Sequence, residues 1–240
     1  MKKNFLILIA LFFTLISAAQ NDIVVDPNAS ARQLTGSFTA IKISDGIDLI
    51  LSQSDNIAVA VSAADEKIKA GIKTIIENGT LKIYYEGEKL FRKRNRKLRA
   101  YVSFKELTKI NALGACDIVV VGTLSGDALL LKLSGACDFK GAVKLTTLKV
   151  DISGASDVWI SGSAQTVDIE NSGASDFRGY GLVSDYCTAN SSGASDVNIT
   201  VNKEISVKAT GASDFLYKGD ALIKEKQNSG ASSVERKNKR

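Results

Sequence analysis

In the C-terminal half of the chain apolar and polar positions alternate with a period of two, never with the 3.6 of a helix. Leu148, Val150, Ile152, Gly154, Ser156, Val158 and Ile160 share one parity, as do Leu129, Leu131, Leu133, Gly135, Cys137 and Phe139. A third stretch places Ile205, Val207, Ala209, Gly211, Ser213, Phe215 and Tyr217 together in the same way. Each of these alternating runs is centred on a Gly-Ala-Ser/Cys-Asp tetrapeptide, and seven copies begin at Gly114, Gly135, Gly154, Gly173, Gly193, Gly211 and Gly230. Self-similarity at a period near twenty marks stacked units, each of which needs a neighbour to cover its apolar face. Two short strands meeting at a small-residue corner, with no helix between, predict an all-β fold. Its architecture is a β-solenoid, parallel β-helix-like, with successive turns about 4.8 Å apart.

Unbroken alternation through the corner puts the Gly and Ser/Cys positions inside and the flanking Ser/Thr, Ala and Asp outside. An outer column of Asp117, Asp138, Asp157, Asp176, Asp196 and Asp214 follows, with Ser134, Ser153, Ser172, Ser192, Thr210 and Ser229 beside it. Two unit charges 4.8 Å apart repel by roughly 0.9 kcal/mol in water, so a column of carboxylates must be answered. Two answers are open: backbone N–H groups at each aspartate's own corner, or cations between the turns.

The first half alternates too, over Phe38–Ile43, Ile47–Leu51 and Ile57–Val61, with a helical turn expected at Ala64–Gly71. Ile72–Ile76 and Thr80–Tyr85 flank Glu77-Asn-Gly79, a hairpin turn. These strands are read as an irregular N-terminal part of the same stack, 35–104, ahead of the regular repeats at 105–234. The last copy replaces Asp with Ser233 and carries Lys224 and Lys226 at inward parity, the mark of a polar cap, before a basic tail at 235–240.

Charge and composition refine this picture at three places. Lys2 and Lys3 precede an apolar run from Phe5 to Ile16 and the small residues Ser17-Ala18-Ala19, so 1–19 reads as a secretory signal peptide and 20–34 as a flexible linker. The run is too short for a bilayer span of ~20 residues, so the chain is read as exported rather than transmembrane, destined for periplasm, outer membrane or cell surface. The segment 89–99 holds seven basic residues, among them Arg92, Lys93, Arg94, Arg96, Lys97 and Arg99. This is a candidate anion patch or a solvated loop; nucleic acid is excluded as partner because export separates it from the chain and only Phe91 offers a ring. Cys116 and Cys137 occupy one repeat position on neighbouring turns, as a bridged pair or as buried thiols, and Cys187 shares the inward parity. With no His and no Cys-x-x-Cys, neither a metal site nor a cofactor is expected, and His-dependent catalysis is excluded.

Several stretches together resemble the head GIN domain, an auto-transporter adhesin family of exported Bacteroidetes-type proteins. They are Phe38-Thr-Ala-Ile-Lys-Ile-Ser-Asp-Gly-Ile-Asp-Leu49, Asn78-Gly-Thr-Leu-Lys-Ile83, Tyr101-Val-Ser-Phe104 and the Gly-Ala-(Ser/Cys)-Asp series. The resemblance implies a β-helical exported domain with no catalytic residues to carry over. Residue pattern and resemblance lead to one function: a non-catalytic binding module presenting its Ser and Asp ladders to an extended partner, a glycan or a cell-envelope protein. The alternatives are a carbohydrate-active β-helix enzyme with stacked carboxylates, or a purely structural envelope protein. Oligomeric state is not legible.

Overall fold

The computed structural model of the protein describes residues 26–87 and 97–237. The leader at 1–19 and the basic residues Arg92, Lys93, Arg94 and Arg96 lie outside the described residues. The chain enters through β1 (Ser30–Arg32), then β2 (Ala40–Ile43) and β3 (Asp48–Gln53), which meet at a corner. After β4 (Ala58–Ser62) comes the helix α1 (Glu66–Gly71), started by Asp65, whose side chain accepts the Ile68 N–H at 2.8 Å as an N-cap. The hairpin β5 (Ile72–Glu77) and β6 (Thr80–Tyr85) turns through Asn78 and Gly79, with φ of 49° and 70°, the pair of left-handed residues that an I′ turn requires. Strands β7 (Arg99–Phe104) and β8 (Lys109–Gly114) lead into the repeats.

From there each turn of the solenoid is one long strand: β9 (Asp117–Gly135), β10 (Asp138–Gly154), β11 (Asp157–Gly173), β12 (Asp176–Gly193) and β13 (Asp196–Gly211). The next turn is shared by β14 (Asp214–Lys218) and β15 (Leu222–Gly230), and β16 (Ser233–Arg236) ends the described stack. All pair in parallel with repeat positions in register: Gly114 opposite Gly135, Gly135 opposite Gly154, Asp157 opposite Asp176. On the N-terminal side β2 pairs with β8 and β3 with β9, so Ile43 to Asp48 is an eighth corner beneath the seven. Beyond it the order changes. β1, β4 and β5 pair antiparallel, to β4, β7 and β6 respectively, and cover that end of the stack.

Two features of the turn differ from the sequence expectation. Besides the Gly-Ala corner, each turn bends where successive residues both face out, as at Ser161-Gly162-Ser163 and at Gln165-Thr166 in β11, with Ala164 buried between. The tetrapeptide glycines, expected inside, are exposed. Strict alternation fails there because the corner turns on a left-handed residue. Gly154 has a φ of 88°, and a Cβ on it would lie 2.4 Å from the Gly135 carbonyl oxygen of the turn below. From Gly135 upward the glycine column is thus a backbone-on-backbone stack with no room for a side chain, tied by Ala155 N–H to Gly135 O and Ala174 N–H to Gly154 O, each 2.8 Å.

Inside, one continuous core runs the length of the molecule, with Phe104, Phe139, Phe177 and Phe215 among its fully buried side chains. The Ser/Cys column is inside, as the alternation requires: Ser156, Ser175, Ser195 and Ser213 are fully buried. Their hydroxyls are all bonded. Ser156 donates to Ser153 O, Ser195 to Ser192 O and Ser213 to Thr210 O, closing the corner from within at 3.0 to 3.3 Å, while Ser175 donates to Gly154 O. Ser156 and Ser175 also accept the N–H of Cys137 and Ser156 from the turn below. A buried hydroxyl that answers backbone donors and acceptors removes a desolvation penalty of about 1–3 kcal/mol per group, which explains serine on an apolar parity. At the far end Lys226 lies over Val207 and donates to Val234 O. Lys224, expected inside, stands at a register shift and reaches Glu204 instead.

Candidate binding face

The six aspartates stand on one outward column in register, Asp117 exposed and the other five half-buried. Asp48 adds a seventh position at the bottom, which the tetrapeptide count misses. Ser44-Asp45-Gly46-Ile47-Asp48 is the same corner in degenerate form, with Asp45 taking the left-handed conformation at φ 64° and Ile47 replacing the buried Ser/Cys. The readable signal was an Asp three residues after a left-handed-tolerant Asp-Gly pair.

The column is held by a bond that neither sequence answer foresaw. Four of the six carboxylates, those of Asp138, Asp157, Asp176 and Asp196, accept the backbone N–H of the aspartate one turn above, not one at their own corner. Asp138 Oδ1 takes Asp157 N–H at 3.3 Å, Asp157 takes Asp176 at 3.2 Å, Asp176 takes Asp196 at 3.3 Å and Asp196 takes Asp214 at 3.2 Å. Asp48 does the same for Asp117 at 3.2 Å, and Asp214 accepts the Ser233 hydroxyl at 2.7 Å. Every such bond puts a partial positive charge against an anion, which offsets repulsion along the column. Burial with Asp117 nearby still pushes the Asp48 carboxyl above the usual carboxylate range, desolvation outweighing the Asp117 N–H.

One cation serves the middle of the ladder. Arg178, two residues beyond Asp176 on the same face of β12, sits 2.7 Å from Asp176 Oδ2 and 3.4 Å from Asp157 Oδ2. Its guanidinium also lies 5.1 Å from the ring of Trp159, with Lys140 at 5.9 Å from the same ring. Lys140, Trp159 and Arg178 are consecutive members of one column, so the indole is sandwiched by cations from the turns either side. None of these three is legible as a site in the sequence, because each occurs once and no repeat points to it.

The neighbouring hydroxyl column serves the backbone. Ser153, Ser172 and Thr210 donate to the carbonyls of Leu133, Ile152 and Ser191 on the turn below. Of the basic segment, Lys97 is left-handed at φ 40° and Arg99 opens β7, its guanidinium 4.0 Å from Asp26. The Oδ2 atoms of Asp138, Asp196 and Asp214 accept no bond among the described residues, and Asp117 has neither oxygen engaged there. The geometry leaves outward acceptors at Asp138, Asp196 and Asp214, with Arg178 holding the two carboxylates between the first and the second. No helix among the described residues is long and apolar enough to cross a membrane, which does not bear on strands.

A stack of parallel turns in register with a polar ladder on one outer face is a β-solenoid. The match to a family model extends over residues 37–221, and the chain belongs to that family, described as "Putative auto-transporter adhesin, head GIN domain". No curated protein matches the chain. Among solved structures it is similar to a putative adhesin of Bacteroides fragilis, with 20% identity, TM-score 0.81, and 88% of this chain and 98% of the other covered. A putative lipid binding protein of Parabacteroides distasonis shows 17% identity and TM-score 0.68, covering 89% and 98%. A putative adhesin of Parabacteroides merdae shows 18% identity and TM-score 0.61 with the same coverage. At these identities the likeness establishes the fold.

Proposed function

We propose that this protein is an exported, non-catalytic adhesin-like module that holds an extended glycan along the aspartate face. The carrying observation is the division of labour within the carboxylates of Asp138, Asp196 and Asp214. Oδ1 is engaged by the next turn, which fixes the side chain, while Oδ2 of Asp138, Asp196 and Asp214 points outward without a partner among the described residues. A row of preoriented carboxylate acceptors suits a ligand that repeats donors along its length, and the hydroxyls of a polysaccharide are such donors. Single hydroxyl–carboxylate bonds are weak, but linked sites gain by effective concentration, which rewards repetition along a straight face. The family's adhesin description agrees with a binding role, and the apolar leader at 5–16 supports export.

The test is a panel of soluble and insoluble polysaccharides probed with the purified chain and with an Asp138→Asn, Asp196→Asn double variant. Asparagine keeps an oxygen for the N–H of Asp157 or Asp214 while removing the outward charge. Retention on at least one polysaccharide, lowered tenfold or more in the double variant with an unchanged melting temperature, is the expected result. Equal retention by both proteins, or retention on none while an envelope protein is captured, overturns the glycan reading.

A further inference from the structure

The ladder that ties each turn to the next breaks at one step. Between Asp117 and Asp138 no N–H to carboxylate bond forms; Asp138 N–H goes to Cys116 O at 3.0 Å instead, and the Asp117 carboxylate binds nothing there among the described residues. The inner staple is weakened at the same corner, where Cys137 Sγ is 3.7 Å from Ser134 O, in place of the 3.0–3.3 Å bonds that Ser156, Ser195 and Ser213 make. This is also the longest interval of the series, 21 residues, and the pairing of β9 with β10 slips in register at Lys140 to Ala142. Both devices that lock neighbouring corners elsewhere are therefore missing or weak here. What the corner has instead is sulfur: Cys116 Sγ and Cys137 Sγ face each other at 3.0 Å, fully buried.

We propose that Cys116 and Cys137 form a disulfide that clamps the first two tetrapeptide corners in the exported protein. The geometry favours it. The residues lie directly opposite between the Gly114–Gly135 and Asp117–Asp138 pairs, so their Cα atoms are one strand spacing apart, about 4.8 Å, and their Cβ bonds run parallel into the core. That spacing falls within the ~4.4–6.8 Å that a disulfide tolerates. Sulfurs 3.0 Å apart need to close by only about 1 Å to bond. Cys187 lies two turns further along, buried opposite Val167 and Ile205, and has no thiol neighbour in its column. In the packed corner the S–H of Cys116 stabilises a Cys137 thiolate and lowers that thiol, while Cys116 is pushed up.

The oxidant is a disulfide-carrying thiol oxidase or small disulfide of the export compartment, since the chain supplies no electron acceptor of its own. Cys137 thiolate attacks one sulfur of that disulfide and releases the first reduced thiol. Cys116 thiolate then attacks Cys137 Sγ and releases the second. The two cysteines lose two electrons, the oxidant's disulfide gains them, and the two thiol protons end on its sulfurs. With both sulfurs buried in the finished stack, the exchange takes place before the turn bearing Ser156 closes over Cys137.

The proposal takes from the reading above only that the chain is exported, and its test keeps the two apart. The full chain is refolded in a mixture of oxidised and reduced glutathione, denatured, alkylated and digested. One alkylated site, Cys187, and one cross-linked peptide joining Cys116 to Cys137 are expected. Three alkylated sites, or any bridge containing Cys187, overturn the proposal. The melting temperature of the refolded chain should fall by roughly 5–10 °C with reductant. A Cys116→Ser, Cys137→Ser double variant carries the residue of the other turns and should show no response to reductant; an undiminished response also overturns the clamp. The same alkylation performed on intact cells is the third arm. Free thiols there with a bridge after refolding overturn the clamp through the compartment, leaving the corner geometry intact.

Discussion

The regular turns from Asp117 onward and the irregular turn below them solve the same corner with different residues, and the difference separates what the motif does for folding from what it offers a partner. In the regular turns glycine, a buried hydroxyl and an aspartate recur because each answers a backbone need that recurs with the stack. At Asp45-Gly46-Ile47-Asp48 the left-handed residue is an aspartate and the buried hydroxyl is replaced by the Ile47 side chain, yet the carboxylate survives and still accepts an N–H from the turn above. Crowding falls away at this end of the column: a Cβ on Gly135 would meet Gly114 O at 2.2 Å, whereas on Gly114 it would come no nearer than 3.8 Å to Asp45 N. The aspartate outlasts the glycine at this lower end because its carboxylate still serves the next turn, and it gives way only at Ser233 in the last copy.

The largest effect that sharpens this comparison is at glycine. Gly154→Ala places a Cβ 2.4 Å from a backbone oxygen that cannot move without its own turn, at a φ of 88°. A loss of ~3 kcal/mol or more is expected in urea denaturation. Gly79→Ala, also left-handed at φ 70° but with nothing within 4 Å, should cost only ~1 kcal/mol. Equal costs would show that strain, and not the stacked backbone, selects glycine.

The buried column comes next. Ser175→Val leaves the buried Ser156 N–H without its partner, and the Gly154 carbonyl with only the Ala174 N–H, and should cost about 2 kcal/mol, whereas Ile47→Val in the irregular turn should cost about 1 kcal/mol as a lost methylene. If Ser175→Val proves as mild as Ile47→Val, the hydroxyl column carries packing alone.

The smallest effect is electrostatic and lies at the base of the ladder. Folding raises the Asp48 carboxyl above its unfolded value through desolvation, so the folded state favours the protonated form. Its contribution is most favourable below the ordinary carboxylate pKa of ~3.9 and declines as pH rises through the higher folded value. Asp48→Asn, which retains an acceptor for Asp117 N–H, should remove that decline and leave the chain at least as stable at pH 7. Melting curves of both proteins between pH 3 and 7 decide it; a parallel pair of pH profiles would sink the assignment.

How much of this was legible before any coordinates follows from which forces act locally. Period-two alternation and a period near twenty required a stack of strands, the parity of Ser156 or Asp157 required inside and outside, and Asn78-Gly79 required a hairpin, because each depends on bonds within a few residues or on exact repetition. What lay outside that reach depended on contacts between turns. The exposed glycines, the Asp Oδ1 to next-turn N–H ladder, the degenerate corner at Asp48, and the meeting of Lys140, Trp159 and Arg178 all join residues about twenty or more positions apart. The parallel register alone fixes which of these face each other across a strand spacing. For the same reason the sequence placed Cys116 and Cys137 in one column, while only the packed corner set their sulfurs 3.0 Å apart and left the carboxylate link beside them unmade.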